Sequence, residues 1–187
     1  MLQVLLFFHL LAVVTLFSAM AVELIGFARL HRASTLADVR IATLNFPLVG
    51  PMMGLGTLVL IAAGIALIYV GGFGWAPPWV NITFLLTIIL AINGPITNGK
   101  RCGVIHALAT QAGDGPITQE IQAARADRIL NYSIYLSAWE LVAALFIMTT
   151  KPGLAICVTA VLFAAVLAGV ATFLVLRRGE QLVPERA

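Results

Sequence analysis

Five runs of apolar residues, each long enough to cross a lipid bilayer, leave this chain little choice of fold. They extend approximately over 2–28, 46–70, 80–98, 129–150 and 154–176. A spanning helix needs about 20 mostly apolar residues, because each advances roughly 1.5 Å through a hydrocarbon layer roughly 30 Å thick. In lipid the backbone has no water to bond to, so each run must close its hydrogen bonds internally as helix; the alternation that a membrane β-barrel requires is missing. Composition agrees. The chain is 61% hydrophobic and 10% charged, with a mean hydropathy of +1.03, whereas a water-soluble domain carries about 25% charged residues. A disordered chain is excluded on the same grounds, and two cysteines cannot make a disulfide scaffold. The expected fold is all-α, a polytopic membrane helix bundle of five transmembrane helices forming a single integral membrane domain over residues 1–187.

Charge sets the expected orientation. Arg29, Arg32 and Arg40 follow the first run; Lys100, Arg101, Arg125 and Arg128 lie between the third and fourth; Arg177, Arg178 and Arg186 follow the fifth. Ten of the 11 Lys and Arg thus fall on one side, and Lys151 alone on the other. The positive-inside rule makes the basic side cytoplasmic, with the N-terminus outside and the C-terminus inside a bacterial cytoplasmic (inner) membrane. The pI near 9.2 then reflects topology and contact with anionic lipid, not nucleic-acid binding. Ala19-Met20-Ala21 imitates a signal-peptide cleavage site, but no cationic segment precedes the apolar run, so a retained helix is expected.

The connections carry their own signals. Thr35 followed by Asp38 reads as the cap of a short helix, and Pro47 and Pro51 fall at the entry to the second run. The link from Gly71 to Trp79 has no charge and holds tryptophans suited to headgroup depth, a tight outside turn. The segment 99–128 is the largest soluble part: Asp114-Gly115-Pro116 predicts a helix start, and Ile117, Ile121 and Ala124 form an apolar face laid on the membrane or leading into the fourth span. Cys102 and Cys157 fall near opposite ends of the bundle and read as small buried thiols. Gly50 with Gly54, and Ala160 with Ala164 and Ala168, carry the small-xxx-small spacing of helix packing faces.

Ionisable groups inside a bilayer are costly, so each is a candidate functional group. Glu140 lies near the middle of the fourth run. Ser133, Ser137, Glu140 and Ala144 recur at steps of three and four, a small polar stripe that turns the acid into the bundle, with Tyr132, Tyr135 and Trp139 beside it. The stripe reads as a proton-accepting or cation-contacting site, or as polar glue between helices. His9 and Glu23 share a face of the first helix about 21 Å apart. His9 is the one intramembrane candidate for haem or metal ligation, or a proton carrier, or an interfacial histidine bonded to a carbonyl; Glu23 is a second acid or a partner of the Arg29 region. Along the third run Thr87, Ala91, Gly94 and Asn98 form a stripe with Asn93 and Pro95 beside it. Its amides and a freed carbonyl suit a cation or polar group, and its small residues suit packing. His31 and His106 read as solvated loop histidines.

Leu6-Phe7-Phe8-His9-Leu10, then Arg29 and His31, the stretch from Pro51 through Gly56, and the turn with Gly74-Trp75 and Trp79 resemble bacterial predicted integral membrane proteins of unknown function. The likeness covers about residues 5 to 98. More distantly the chain is similar to the haem-associated membrane protoporphyrinogen oxidases and the copper-resistance D-type membrane proteins, which also place a histidine early in their first helix. Leu6 stands where the oxidases have a lysine, and the Arg29 and His31 pair comes about one turn late. The resemblance implies a shared topology, and haem binding only at His9. No nucleophile elbow, Walker loop or zinc motif is present, so an enzyme is not expected. Three functions are expected from these readings. The first is a bundle handling a proton, cation or small polar ligand at an intramembrane site of Glu140, Ser137, Ser133, His9, Glu23, Asn93 and Asn98, alongside partner chains. The others are an accessory or assembly subunit of a larger membrane complex or homo-oligomer, and a haem-binding redox protein using His9.

Overall fold

The computed structural model describes residues 1–181, with side chains to 177. Eight α-helices run in order: α1 (Leu2–Arg32), α2 (Leu36–Thr43), α3 (Phe46–Val70), α4 (Pro78–Asn93), α5 (Lys100–Gln111), α6 (Gln119–Arg125), α7 (Arg128–Thr150) and α8 (Leu154–Gln181). A π-helical turn, Gly94–Gly99, joins α4 to α5 without a break. Five stretches of helix are long and apolar enough to cross a membrane. The protein is a helical membrane bundle of five spans.

Local chemistry sets the helix ends. Thr35 caps α2 by accepting from the Asp38 backbone N–H, while the Asp38 carboxylate accepts from the backbone N–H groups of Ser34 and Thr35. Asp127 caps α7 through the N–H groups of Ile129 and Leu130. At the far end of α7, Lys151 adopts the left-handed conformation (φ 49°), and its N–H donates to Ile147 O before Pro152 and Gly153 end the helix. The turn between α3 and α4 uses positive φ at Gly72 and Gly74, which a residue without Cβ adopts freely. Phe73 and Trp79 meet edge to face there, with the Lys151 ammonium 5.0 and 5.5 Å from their ring centroids.

The helices alternate in direction, so Arg29, Arg32, Lys100, Arg101, Arg125, Arg128 and Arg177 collect at one end of the bundle, the basic end. The turn and Lys151 mark the other. Helix α1 packs along α3, α8 packs along α7, and α4 lies on α7. In the basic half one apolar core ties these groups together, with Phe27, Leu30, Val39, Ile105, Ile121 and Ile134 all buried.

Segment 99–128 differs from its sequence reading. The third span continues past Gly99 as α5, and α6 starts at Gln119 with Thr118 as its cap, not at Asp114-Gly115-Pro116. Pro116 instead sits in an isolated bridge with Thr35, and the Leu36 N–H donates to Gly115 O at 3.0 Å. Ile117 and Ile121 are buried in the basic-end core and Ala124 packs against it, so the face expected to lie on lipid covers protein instead. Nor does α6 run into α7: Ala126 and Asp127 separate them.

His31 and His106 are likewise packed, not solvated. His31 Nδ1 lies 3.0 Å from Phe27 O with its ring edge to face against Phe27, and His106 Nδ1 lies 3.1 Å from Thr43 Oγ1. Ala164 and Ala168 on α8 are buried, but Gly50 and Gly54 are exposed with nothing within 4 Å of an added Cβ. The close approach of α1 to α3 falls at Gly56 instead, where a Cβ would meet Leu16 at 3.2 Å.

Candidate intramembrane polar site

Three residues of α7 define the centre. Ser133, Ser137 and Glu140 recur at steps of four and three, so they line one face of the helix. All are buried, at 4%, 0% and 4% exposure. Facing them is the junction of α4 with the π-helical turn. Asn93 Nδ2 and Asn98 Nδ2 both donate to Ser137 Oγ, at 3.4 and 3.5 Å, and Ser133 Oγ donates to Asn98 Oδ1.

The π-helical turn makes this convergence feasible. In a regular α-helix two residues five apart point roughly 140° away from one another. Pro95 has no N–H to give to the carbonyl four residues back, and the bonding around it shifts to the wider i→i+5 pattern. Two amides that the α-helical period separates thereby reach one hydroxyl. Sequence reasoning placed Asn93 beside the stripe of Thr87, Ala91, Gly94 and Asn98; Gly94-Pro95 and Gly99 were the signal that the period breaks there.

The remaining candidates divide between two cavities. One, of about 480 Å³, separates α1 and α3 from α4 and α7 in the half of the bundle away from the basic end. Its lining is aliphatic and aromatic except for a few groups, chiefly Glu140, His9, Thr83, Thr87 and Lys151. Lys151 follows Glu140 by eleven steps of the chain, so the cavity reaches about 16 Å along the helix from the central acid to the turn end. Glu140 Oε2 is buried without a hydrogen-bond partner, and so is His9 Nδ1. His9 is half-buried against α3, where Gly64 makes room for the imidazole: an added Cβ would lie 3.7 Å from His9 Cε1.

Glu23 belongs elsewhere. It is 3% exposed and lines a second cavity, of about 240 Å³, between α3 and the π-helical turn, with Thr57, Asn98 and Cys102. Its Oε2 also lacks a partner. The ion pairs among the described residues are Arg40–Asp114 and Arg101–Asp127, so Glu23 is not matched by Arg29. Ile61 and Leu90 line both cavities and separate them. The sequence-derived candidates thus fall into Glu140 with His9, Glu23 with Asn98, and the amide and hydroxyl network of Asn93, Asn98, Ser133 and Ser137 between α4 and α7. Cys102 and Cys157 are free and buried.

A buried acid without a partner and facing an apolar cavity can receive one thing well: a group bringing a proton or a positive charge. Fold and site together define the class, a five-span helical membrane protein with a buried polar centre. No family model matches the chain, and no curated protein or solved structure is significantly similar to it.

Proposed function

We propose that this membrane bundle binds, at Glu140, the cationic or hydrogen-bond-donating end of a small and largely apolar molecule, a proton or simple cation being the smallest species the acid accepts. The observation that carries the reading is the unpartnered Glu140 Oε2 in a cavity of about 480 Å³. That volume lies in the range of small-molecule sites, which combine apolar walls with a few orienting polar groups. The Asn93, Asn98, Ser133 and Ser137 network holds α7 against α4 and so fixes the acid's position. By the positive-inside rule the basic end faces the cytoplasm of a bacterial inner membrane, and the cavity reaches toward the outer side.

A binding titration with 9-(aminomethyl)anthracene, an apolar ring bearing a cationic amine, tests the reading in purified protein. Glu140→Gln is expected to weaken binding about tenfold, the value of one charge-assisted buried hydrogen bond, while leaving binding of 9-methylanthracene, which has neither charge nor donor, unchanged. Equal binding of both compounds, or of both proteins, refutes it.

A second reading, haem ligation by His9, draws support from the place of its imidazole in the wall of the same cavity. Purified protein with a Soret absorbance that disappears in His9→Ala supports this alternative; colourless protein after expression with ample haem ends it.

A further inference from the structure

The cavity at Glu23 is a groove in the lipid-facing side of the bundle. Its outer rim is the face of α3 carrying Gly50, Gly54 and Leu58, all exposed, and the π-helical turn with exposed Pro95 and Gly99. An added Cβ at Gly50 or Gly54 meets nothing within 4 Å, so no helix among the described residues occupies the place that a Gly-x-x-x-Gly face provides. On the floor, 3% exposed, lies Glu23 with a buried carboxylate oxygen that no group among the described residues satisfies. A small-residue stripe alone marks only a surface on which backbones can approach closely. An unmatched acid beneath it adds a chemical demand.

We propose that this groove receives a transmembrane helix of a partner protein, and that the helix brings small residues opposite Gly50 and Gly54 and one basic side chain to Glu23. Each feature answers one requirement. The glycines let two backbones approach, which is what drives helix association where lipid is as apolar as the side chains. The basic side chain supplies the donor and the opposite charge that a carboxylate in a bilayer lacks. A second copy of this chain serves the acid badly: the exposed membrane faces of α1 and α8 carry Phe7, Leu10, Val14, Leu162, Phe163 and Val166, and two copies meeting groove to groove set Glu23 against Glu23. The site is separate from the Glu140 cavity, so the two proposals stand or fall independently.

A synthetic leucine-rich transmembrane peptide, with a Gly-x-x-x-Gly face and one lysine at the depth of Glu23, serves as the probe. Energy transfer between the labelled peptide and the full-length protein in liposomes reports association. The lysine peptide is expected to bind about tenfold more tightly than its lysine-to-leucine counterpart. That advantage disappears in Glu23→Gln, Gly54→Leu abolishes association, and Glu140→Gln changes nothing. Gly54→Leu enters open space, so unchanged thermal unfolding in detergent shows that its effect is on the groove and not on folding. The proposal is overturned if neither peptide associates, if both bind equally, or if Gly54→Leu binds as the parent does. Spontaneous disulfide formation between two copies carrying Gly54→Cys overturns it also, by placing a second copy in the groove.

Discussion

Ser137 Oγ is the acceptor for two amides and stands one turn from Glu140, so a single hydroxyl connects α4, the π-helical turn and α7. Its removal takes away the acceptor shared by the Asn93 and Asn98 donors. Ser137→Ala is expected to lower the stability of the protein in detergent by about 1 kcal/mol, the common value of such a bond between membrane helices. Ser18→Ala, at an exposed position of α1, is the control and is expected to be neutral. Equal thermal unfolding of the two variants shows that the network does not hold the bundle. At this scale the sequence was legible in part. The spacing of Ser133, Ser137 and Glu140 was enough to put the three on one face, because on an uninterrupted helix spacing fixes direction. It named Glu23 as a second acid or a partner of the Arg29 region but did not give its surroundings, which come from α3 and the π-helical turn and are distant in sequence.

Helix α2 depends on its cap. The Thr35 hydroxyl, and the N–H groups of Ser34 and Thr35, hold the Asp38 carboxyl below the usual carboxylate range. A carboxyl whose folded value is depressed adds stability above its unfolded value, near 3.9, and loses it as pH falls through the folded value. The contribution of α2 is therefore expected to be constant at neutral pH and to decline below about pH 4, with faster hydrogen exchange over residues 36–43. Asp38→Asn is expected to flatten that dependence. Helix contact shows a sharper contrast. Gly56→Leu drives a side chain into Leu16, 3.2 Å from an added Cβ, and is expected to cost about 1–3 kcal/mol by overpacking, whereas Gly54→Leu costs almost nothing. Thermal unfolding of the two variants compares them directly; equal loss refutes the assigned contact. Both glycines lie in one apolar run with similar neighbours. Which of them meets α1 depends on the rotation of α3, and no local pattern encodes that.

At the scale of the whole molecule, one apolar core joins α1, α2, α5, α6 and α7 at the basic end, and a cavity of about 480 Å³ opens the other half toward Lys151. If the basic end is cytoplasmic, Lys151→Cys is expected to react with a membrane-impermeant maleimide on intact cells, and Arg32→Cys only after permeabilisation. The native thiols stay silent because Cys102 and Cys157 are buried, at 4% and 0% exposure. The reverse pattern of labelling refutes the orientation. The basic-end layer of α2, α5 and α6 was the least legible part of the architecture. A few apolar positions in a polar stretch fit a helix on lipid as well as one on protein, and only the facing residues Phe27, Leu30 and Val39 distinguish the two.

The amino-acid sequence by itself determined that the chain forms five helices long and apolar enough to cross a membrane, and that its Lys and Arg, Lys151 apart, fall in the segments on one side. Both follow from hydropathy and charge summed along single runs, quantities to which distant residues contribute nothing. Tertiary structure alone decided that Glu140 and Glu23 lie in separate cavities and that Asn93 and Asn98 converge on Ser137. It also decided that Gly56, and not Gly54, touches a neighbouring helix. These depend on the rotation of one helix about its axis relative to another and on a break of period at Pro95, and such angles are set by packing between segments far apart in the chain.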